Sequence, residues 1–344
     1  MAEAVNFFWN MPEASDKMTE KYKKNAGVGS KMERILKNGE PDVKTDLAAC
    51  YGIQAEKILR IAGGTVGRTY GIDNRYLLKI YDTDTAVGKL RLERLPVWVQ
   101  VLERLQESGL RDRICRPVRT AEGSLFYVHG RIAGALFSFI PGEAVGYGRP
   151  YTGEELRQLS GIVKELHSIP GDAFADICPA EAYELPFCDA LKRLLLSETG
   201  GLPEAFRKEA EGEREMLLGR VKTLREEARE LKEENLPFVL CHTDIHGGNL
   251  IRDPQGKLWL IDWENVMLAP KEADLFSFCE EEYANLFCEN ADERALRYYL
   301  LRRDLEDIQE FLDSVLNGEY DRAGQEEVLS HVKRIIGHIK MLRR

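Results

Sequence analysis

The chain has 344 residues, 44% hydrophobic and 31% charged, which is enough apolar material for a buried core in two domains or in one domain built from two lobes. Its formal net charge of -10, with no convincing basic cluster, excludes a general nucleic-acid-binding surface. No apolar run is long enough to cross a bilayer, and the start, with Phe7, Phe8 and Trp9 among polar residues, does not read as a signal peptide, so no membrane partner and a cytoplasmic location are expected.

Residues 1–40 are polar and helix-prone and end in the turn-like Asn38-Gly39-Glu40-Pro41, which reads as a helical extension. From Val43 a short helix is expected, stopping at Gly52. Strands follow at Ile58–Ile61, Thr69–Ile72 and Tyr76–Tyr81, joined by glycine and Asn-Arg turns that suit antiparallel hairpins. Leu92, Leu95, Val99, Leu102 and Leu105 recur with helical period, and Pro96 marks the point where that helix starts or kinks. Strands return at Ser124–Val128 and Ala135–Ile140 before Pro141-Gly142, the expected hinge. Beyond it the pattern is mainly helical, including an amphipathic face at Leu156, Leu159, Ile162, Val163 and Leu166. Leu217, Val221, Leu224, Ala228 and Leu231 recur at the alternating four- and three-residue steps of a coiled coil, and over so short a run read instead as a charged surface helix that covers the core. The seven cysteines (Cys50, Cys115, Cys178, Cys188, Cys241, Cys279 and Cys288) form no C-x-x-C pair and read as reduced thiols rather than a zinc site or disulfide framework.

The segment richest in chemistry is Val239-Leu240-Cys241-His242-Thr243-Asp244-Ile245-His246-Gly247-Gly248-Asn249-Leu250-Ile251, followed by Leu258-Trp259-Leu260-Ile261-Asp262-Trp263-Glu264. Two apolar runs flank a polar loop, and the second run ends in a carboxylate. Asp244, Asn249 and Asp262 offer oxygen ligands only, the donor set that suits Mg2+ beside substrate phosphates. Phosphoryl transfer asks for metal to neutralise phosphate charge, a carboxylate at the attacking hydroxyl, and good positioning. Upstream, Gly63-Gly64-Thr65-Val66-Gly67 lies between strands, where backbone N–H groups can approach phosphates. Lys79 sits amid Leu77, Leu78 and Ile80, a costly place for an ammonium group without an anionic partner.

The H-x-D-x-x-x-x-N run from His242 to Asn249, with Asp262 after a hydrophobic strand, resembles the aminoglycoside phosphotransferase family, and within it the spectinomycin branch more than the kanamycin kinases. The resemblance runs from about Val43 to the C-terminus. It implies an α+β, bilobal protein-kinase-like fold, with a small antiparallel-sheet lobe (41–140) carrying one helix and a larger mainly helical lobe (141–344). It also implies ATP or GTP as donor and Mg2+ as cofactor. Carried over by position, Asp244 resembles the catalytic base, Asn249 and Asp262 the magnesium ligands, His242 the brace of the catalytic turn, and Asp274 the buried anchor of that loop. Gly63, Gly64, Thr65 and Gly67 correspond to the phosphate-covering hairpin, Lys79 to the phosphate lysine, and Phe139 and Ile140 to the connector that meets adenine. The lysine's helix partner is assigned to Glu93, with Glu103 in reserve. Glu264, Glu281 and Glu282 are candidates for binding an acceptor's ammonium groups.

The expected partners are therefore a nucleoside triphosphate and a small, cationic, hydroxylated substrate, bound by a monomer or homodimer. An aminoglycoside or aminocyclitol such as spectinomycin leads. A metabolite kinase of the choline, amino-sugar, sugar-amine or homoserine type stands as the alternative, and a catalytically inactive kinase-like binding protein as a third reading.

Overall fold

The computed structural model describes residues 42–61, 67–279 and 281–342. The expected extension over residues 1–40, Gly63, Gly64 and Thr65 of the glycine-rich hairpin, and Glu280 lie outside the described residues. The chain divides into two compact units, Met1–Pro179 with Val239–Leu268 and Ala180–Phe238 with Ala269–Arg344. The strands that follow Val239 pack with the sheet-bearing unit, because Glu143 and Ala144 pair with Arg252 and Ile251.

In the first unit, helix α1 (Val43–Tyr51) starts at Asp42, whose side chain accepts the Thr45 N–H, and stops at Gly52, whose φ of +67° is left-handed. An antiparallel sheet follows in the order β1-β2-β3-β6-β4, with β5 also paired to β6: β1 Ile58–Ile61, β2 Arg68–Ile72, β3 Tyr76–Asp82, β4 Pro117–Val118, β5 Tyr127–His129 and β6 Ile132–Ser138. Asp73 and Asn74, both at positive φ, make the turn between β2 and β3. Strand alternation then sorts β3. Leu78 and Ile80 point into a core with Val43, Leu47, Ile72 and Leu136, and Lys79 and Tyr81 point to the opposite face.

Helix α2 (Ala86–Leu105) is capped by Thr85, whose hydroxyl accepts the Gly88 N–H. It packs Trp98 against Phe137 of β6, ring centroids 5.1 Å apart. Pro96 neither starts nor ends this helix, which runs through it. Leu95, Trp98, Val99, Leu102 and Leu105 are all buried, and their packing outweighs the hydrogen bond that proline removes. Strands β7 (Glu143–Ala144), β9 (Leu250–Arg252) and β10 (Leu258–Leu260) form a second sheet in the order β10-β9-β7. Strand β8 (Phe238–Cys241) leads into the polar loop, and α3 (Gly153–Ser168) opens with a capping box between Thr152 and Glu155.

The second unit is helical: α4 Pro186–Arg193, α5 Glu204–Gly212, α6 Arg214–Glu234, α7 Glu272–Leu275, α8 Glu281–Phe287, α9 Glu293–Leu316 and α10 Arg322–Met341. Leu217, Val221, Leu224, Ala228 and Leu231 of α6 are buried, as their spacing predicts. Within this unit Glu181 and Arg302 form a buried ion pair of 2.6 Å, and Asp274 is buried on α7. Among the described residues no helix is long and apolar enough to cross a membrane.

Candidate active site

The polar loop is assembled from backbone ties before any side chain acts. His242 is fully buried. Its Nε2 donates to the Ile261 carbonyl at 3.0 Å and its Nδ1 accepts the Asp244 N–H at 3.3 Å, which assigns the proton to Nε2. Trp263 stands edge-on to the same imidazole, with centroids 4.8 Å apart. Thr243 Oγ1 donates to the Asn265 carbonyl at 3.1 Å, and the Asn249 carbonyl accepts the Ile261 N–H at 2.9 Å. The loop is thereby sewn to the segment carrying Asp262. Thr243 and Asp262 both sit at φ +67°, a left-handed conformation that non-glycine residues hold only when their surroundings enforce it.

Gly247–Asn249 forms a single 3-10 turn. The Gly247 carbonyl accepts the Gly146 N–H at 3.0 Å, and a Cβ on Gly247 would stand 2.1 Å from the Gly146 oxygen. Only glycine permits that approach. Within the loop, Asn249 Nδ2 donates to the Asp244 carbonyl at 2.9 Å and to Asp244 Oδ2 at 3.1 Å. The Asn249 amide nitrogen is thus committed to Asp244, and its carbonyl oxygen is the end a cation would take. His246 Nδ1 accepts the Gly248 N–H at 3.0 Å, while Nε2 lies 3.5 Å from Asp244 Oδ1.

The opposite wall comes from β3. Lys79 Nζ lies 3.0 Å from Asp262 Oδ1 and also pairs with Glu264. Burial works against the Lys79 ammonium, but the two carboxylates outweigh it, so its pKa lies above the ordinary lysine value. Glu264 is buried and accepts from Tyr81 Oη at 2.6 Å. Its other oxygen meets Arg91 of α2 at 2.9 Å. Burial, and then the Glu264 charge, push the Tyr81 hydroxyl well above its usual pKa, so it stays a donor. Asp262 differs from Glu264 in remaining 42% exposed.

Such a cluster can supply oxygen ligands for a cation, a carboxylate for an attacking hydroxyl and an ammonium group for phosphate. A profile of the "phosphotransferase enzyme family" matches residues 57–311, most of the chain. The chain belongs to that family. Among solved structures, this phosphotransferase is similar to the spectinomycin phosphotransferase APH(9)-Ia in complex with ADP and spectinomycin, at 21% identity and TM-score 0.64, covering 87% of this chain and 96% of that one. The AMP-bound form of APH(9)-Ia gives 19% identity and TM-score 0.65, with 88% and 98% covered. The streptomycin–ATP ternary complex of APH(2'')-IIa gives 19% identity and TM-score 0.54, with 86% and 97% covered. At these identities the likeness establishes the bilobal protein-kinase-like fold. No curated protein matches the sequence.

The phosphotransferase brings Asp244, Asn249, Asp262, Lys79 and His242 into one connected cluster, all within its first unit. Gly67 lies beside it, where an added Cβ would meet the Tyr81 ring at 3.1 Å. Glu93 does not join the cluster. It is exposed, and Glu103 pairs with Arg119 at 2.7 Å, so Lys79 takes its partners from the segment after β10 instead. The reason is rotational: the α2 face turned toward β3 carries Arg91. Glu264 does not present itself to an acceptor's ammonium group, because both of its oxygens already face cations or a hydroxyl within the fold. The side chains of Glu281 and Glu282 lie outside the described residues. Phe139 and Ile140 follow β6, and the N–H groups of Ser138 and Phe139 are already bonded to the Arg116 and Arg75 carbonyls, at 2.8 and 2.9 Å. Tyr81 and Arg91 were not singled out by the motif. Strand alternation from Lys79 would have found Tyr81, and nothing local marks Arg91.

Proposed function

We propose that this phosphotransferase moves the γ-phosphate of ATP or GTP onto a hydroxyl of an aminocyclitol or aminoglycoside of the spectinomycin type. The observation that carries the chemistry is that Asp244 is bonded to Asn249, whose backbone is bonded to Ile261, the residue before the Asp262 that pairs with Lys79. Asp244 orients the attacking hydroxyl and takes its proton, while Asn249 fixes the carboxylate through its amide. Lys79 receives the α/β-phosphates, exchanging its contact with Asp262 for phosphate oxygens. Asp262, exposed and all-oxygen, and the Asn249 side-chain oxygen Oδ1 fit Mg2+, which when bound would neutralise phosphate charge. His242 holds the loop in register and does not touch the reacting atoms. Adenine contacts are expected from Ile140 and Gly142, since Pro141 has no N–H and the preceding donors are committed.

The choice of acceptor class is supported by the similarity to a protein crystallised with ADP and spectinomycin. The test is a nucleotide-consumption screen with Mg2+ over spectinomycin, aminoglycosides, choline, amino sugars, sugar-amine adducts and homoserine. Turnover with spectinomycin or an aminoglycoside supports the reading. Turnover confined to choline or another metabolite reassigns the acceptor, and no nucleotide binding at all returns the chain to a binding role.

A further inference from the structure

The Lys79 side chain is only 18% exposed, so its ammonium group needs a carboxylate to hold it, and helix α2 does not supply one. Its residue facing the site is Arg91, 2.9 Å from Glu264 Oε2, while Arg94 reaches Asn265 at 3.2 Å. Glu264 is 7% exposed, whereas Asp262 is 42% exposed. Both Glu264 oxygens are engaged, one by Tyr81 and Lys79 and the other by Arg91. A carboxylate enclosed by three donors is not available to a cation without breaking those bonds, whereas Asp262, paired with Lys79 through Oδ1, keeps an exposed carboxylate.

We propose that Glu264 is the positioning residue for Lys79, that Arg91 and Tyr81 hold Glu264 in place, and that Asp262 alone of the two carboxylates serves the metal. The inference rests on the nucleotide-dependent reading above and deepens it. The polarity of the usual arrangement is reversed: the helix contributes the cation, and the strand-end segment contributes the carboxylate. When a triphosphate and its metal draw Asp262 away, Glu264 keeps Lys79 aimed at the phosphates. Because Arg91 and Glu264 lie on different elements, the position of α2 and the position of Lys79 are coupled through one ion pair.

Calorimetric titration of ATP into the full chain, in EDTA and again in excess Mg2+, separates a lysine-holding role from a metal-binding one. For Glu264→Gln, ATP affinity is expected to fall about tenfold in EDTA as well as in Mg2+, with the Mg2+ concentration for half-maximal turnover unchanged. Tyr81→Phe and Arg91→Met, which leave the carboxylate in place but loosen it, are expected to give smaller losses of the same kind, about two- to fivefold. They provide the readout if Glu264→Gln does not fold. Affinity lost only in Mg2+, with a raised Mg2+ requirement, would make Glu264 a metal ligand and overturn the proposal. Wild-type affinity in all three variants would overturn it too. A wild-type chain that binds no ATP under either condition would sink the functional reading itself, a result distinct from both.

Discussion

Gly247→Ala tests whether the geometry of the polar loop governs turnover. The added Cβ would stand 2.1 Å from the Gly146 carbonyl oxygen, and real Cβ contacts essentially never fall below 3.0 Å, so the loop and the 143–146 segment must part by about 0.9 Å. Neither side can yield by a side-chain rotation, because the obstructing atom is backbone. The Gly146 N–H to Gly247 O bond of 3.0 Å lies across the same gap and would weaken with it. A misplacement of about 1 Å at a reacting centre costs roughly 10²-fold in rate, and the lost hydrogen bond costs about 1 kcal/mol, or ~1–2 °C of melting temperature at this size. The assay is steady-state phosphoryl transfer to the acceptor found by screening, or the slower transfer to water, with a thermal melt on the same sample. Gly219→Ala is the control. Gly219 is exposed on α6 with open space around it, so the substitution should leave kcat unchanged and raise stability by about 0.5–1 kcal/mol through helix propensity. A Gly247→Ala enzyme with kcat within twofold of wild type would refute the reasoning.

Asp262→Ala should abolish Mg2+-dependent turnover while the fold persists, because the Asp262 side chain is 42% exposed and not part of the core; a melting temperature within a few degrees and loss of Mg2+-enhanced nucleotide binding are the expected readings. Glu227 on α6 has Oε2 buried without a hydrogen-bond partner. Burial, joined by the Glu230 charge, pushes its carboxyl above the ordinary 4.5 despite Arg297, Arg220 and Arg294. A folded pKa above the unfolded one means that ionised Glu227 costs stability at neutral pH and that the cost disappears as pH falls below the unfolded value. Glu227→Gln should therefore raise the melting temperature by about 1–2 °C at pH 8, with the gain fading toward pH 4; a gain that grows on acidification would contradict this.

The fold was legible where periodicity is local. The β2–β3 hairpin and helix α6 lie where alternation and heptad-like spacing place them. What escaped was set by contacts remote in sequence. Glu143 and Ala144 pair with Arg252 and Ile251, and no local pattern near Pro141 reports that pairing. Pro96 looked like a break because local backbone chemistry disfavours it, yet the buried Leu95, Trp98 and Val99 around it decide the outcome. At the site, the loop from His242 to Asn249 could be read because its members are near neighbours in sequence. The partner of Lys79 could not, because the choice between Glu93 and Glu264 turns on how α2 is rotated against β3. The acid two residues after Asp262 was visible as a residue, but only its burial between Tyr81 and Arg91 shows what it faces.

The most direct measurement is ATP affinity and single-turnover phosphoryl transfer compared side by side in wild type and Asp244→Ala. Asp244 bonds to Asn249, while Lys79 pairs with Asp262 and Glu264, so nucleotide affinity should stay within about threefold while transfer falls by roughly 10³ or more. Transfer within tenfold of wild type, with the same acceptor and the same Mg2+, would show that the hydroxyl is not activated by this carboxylate.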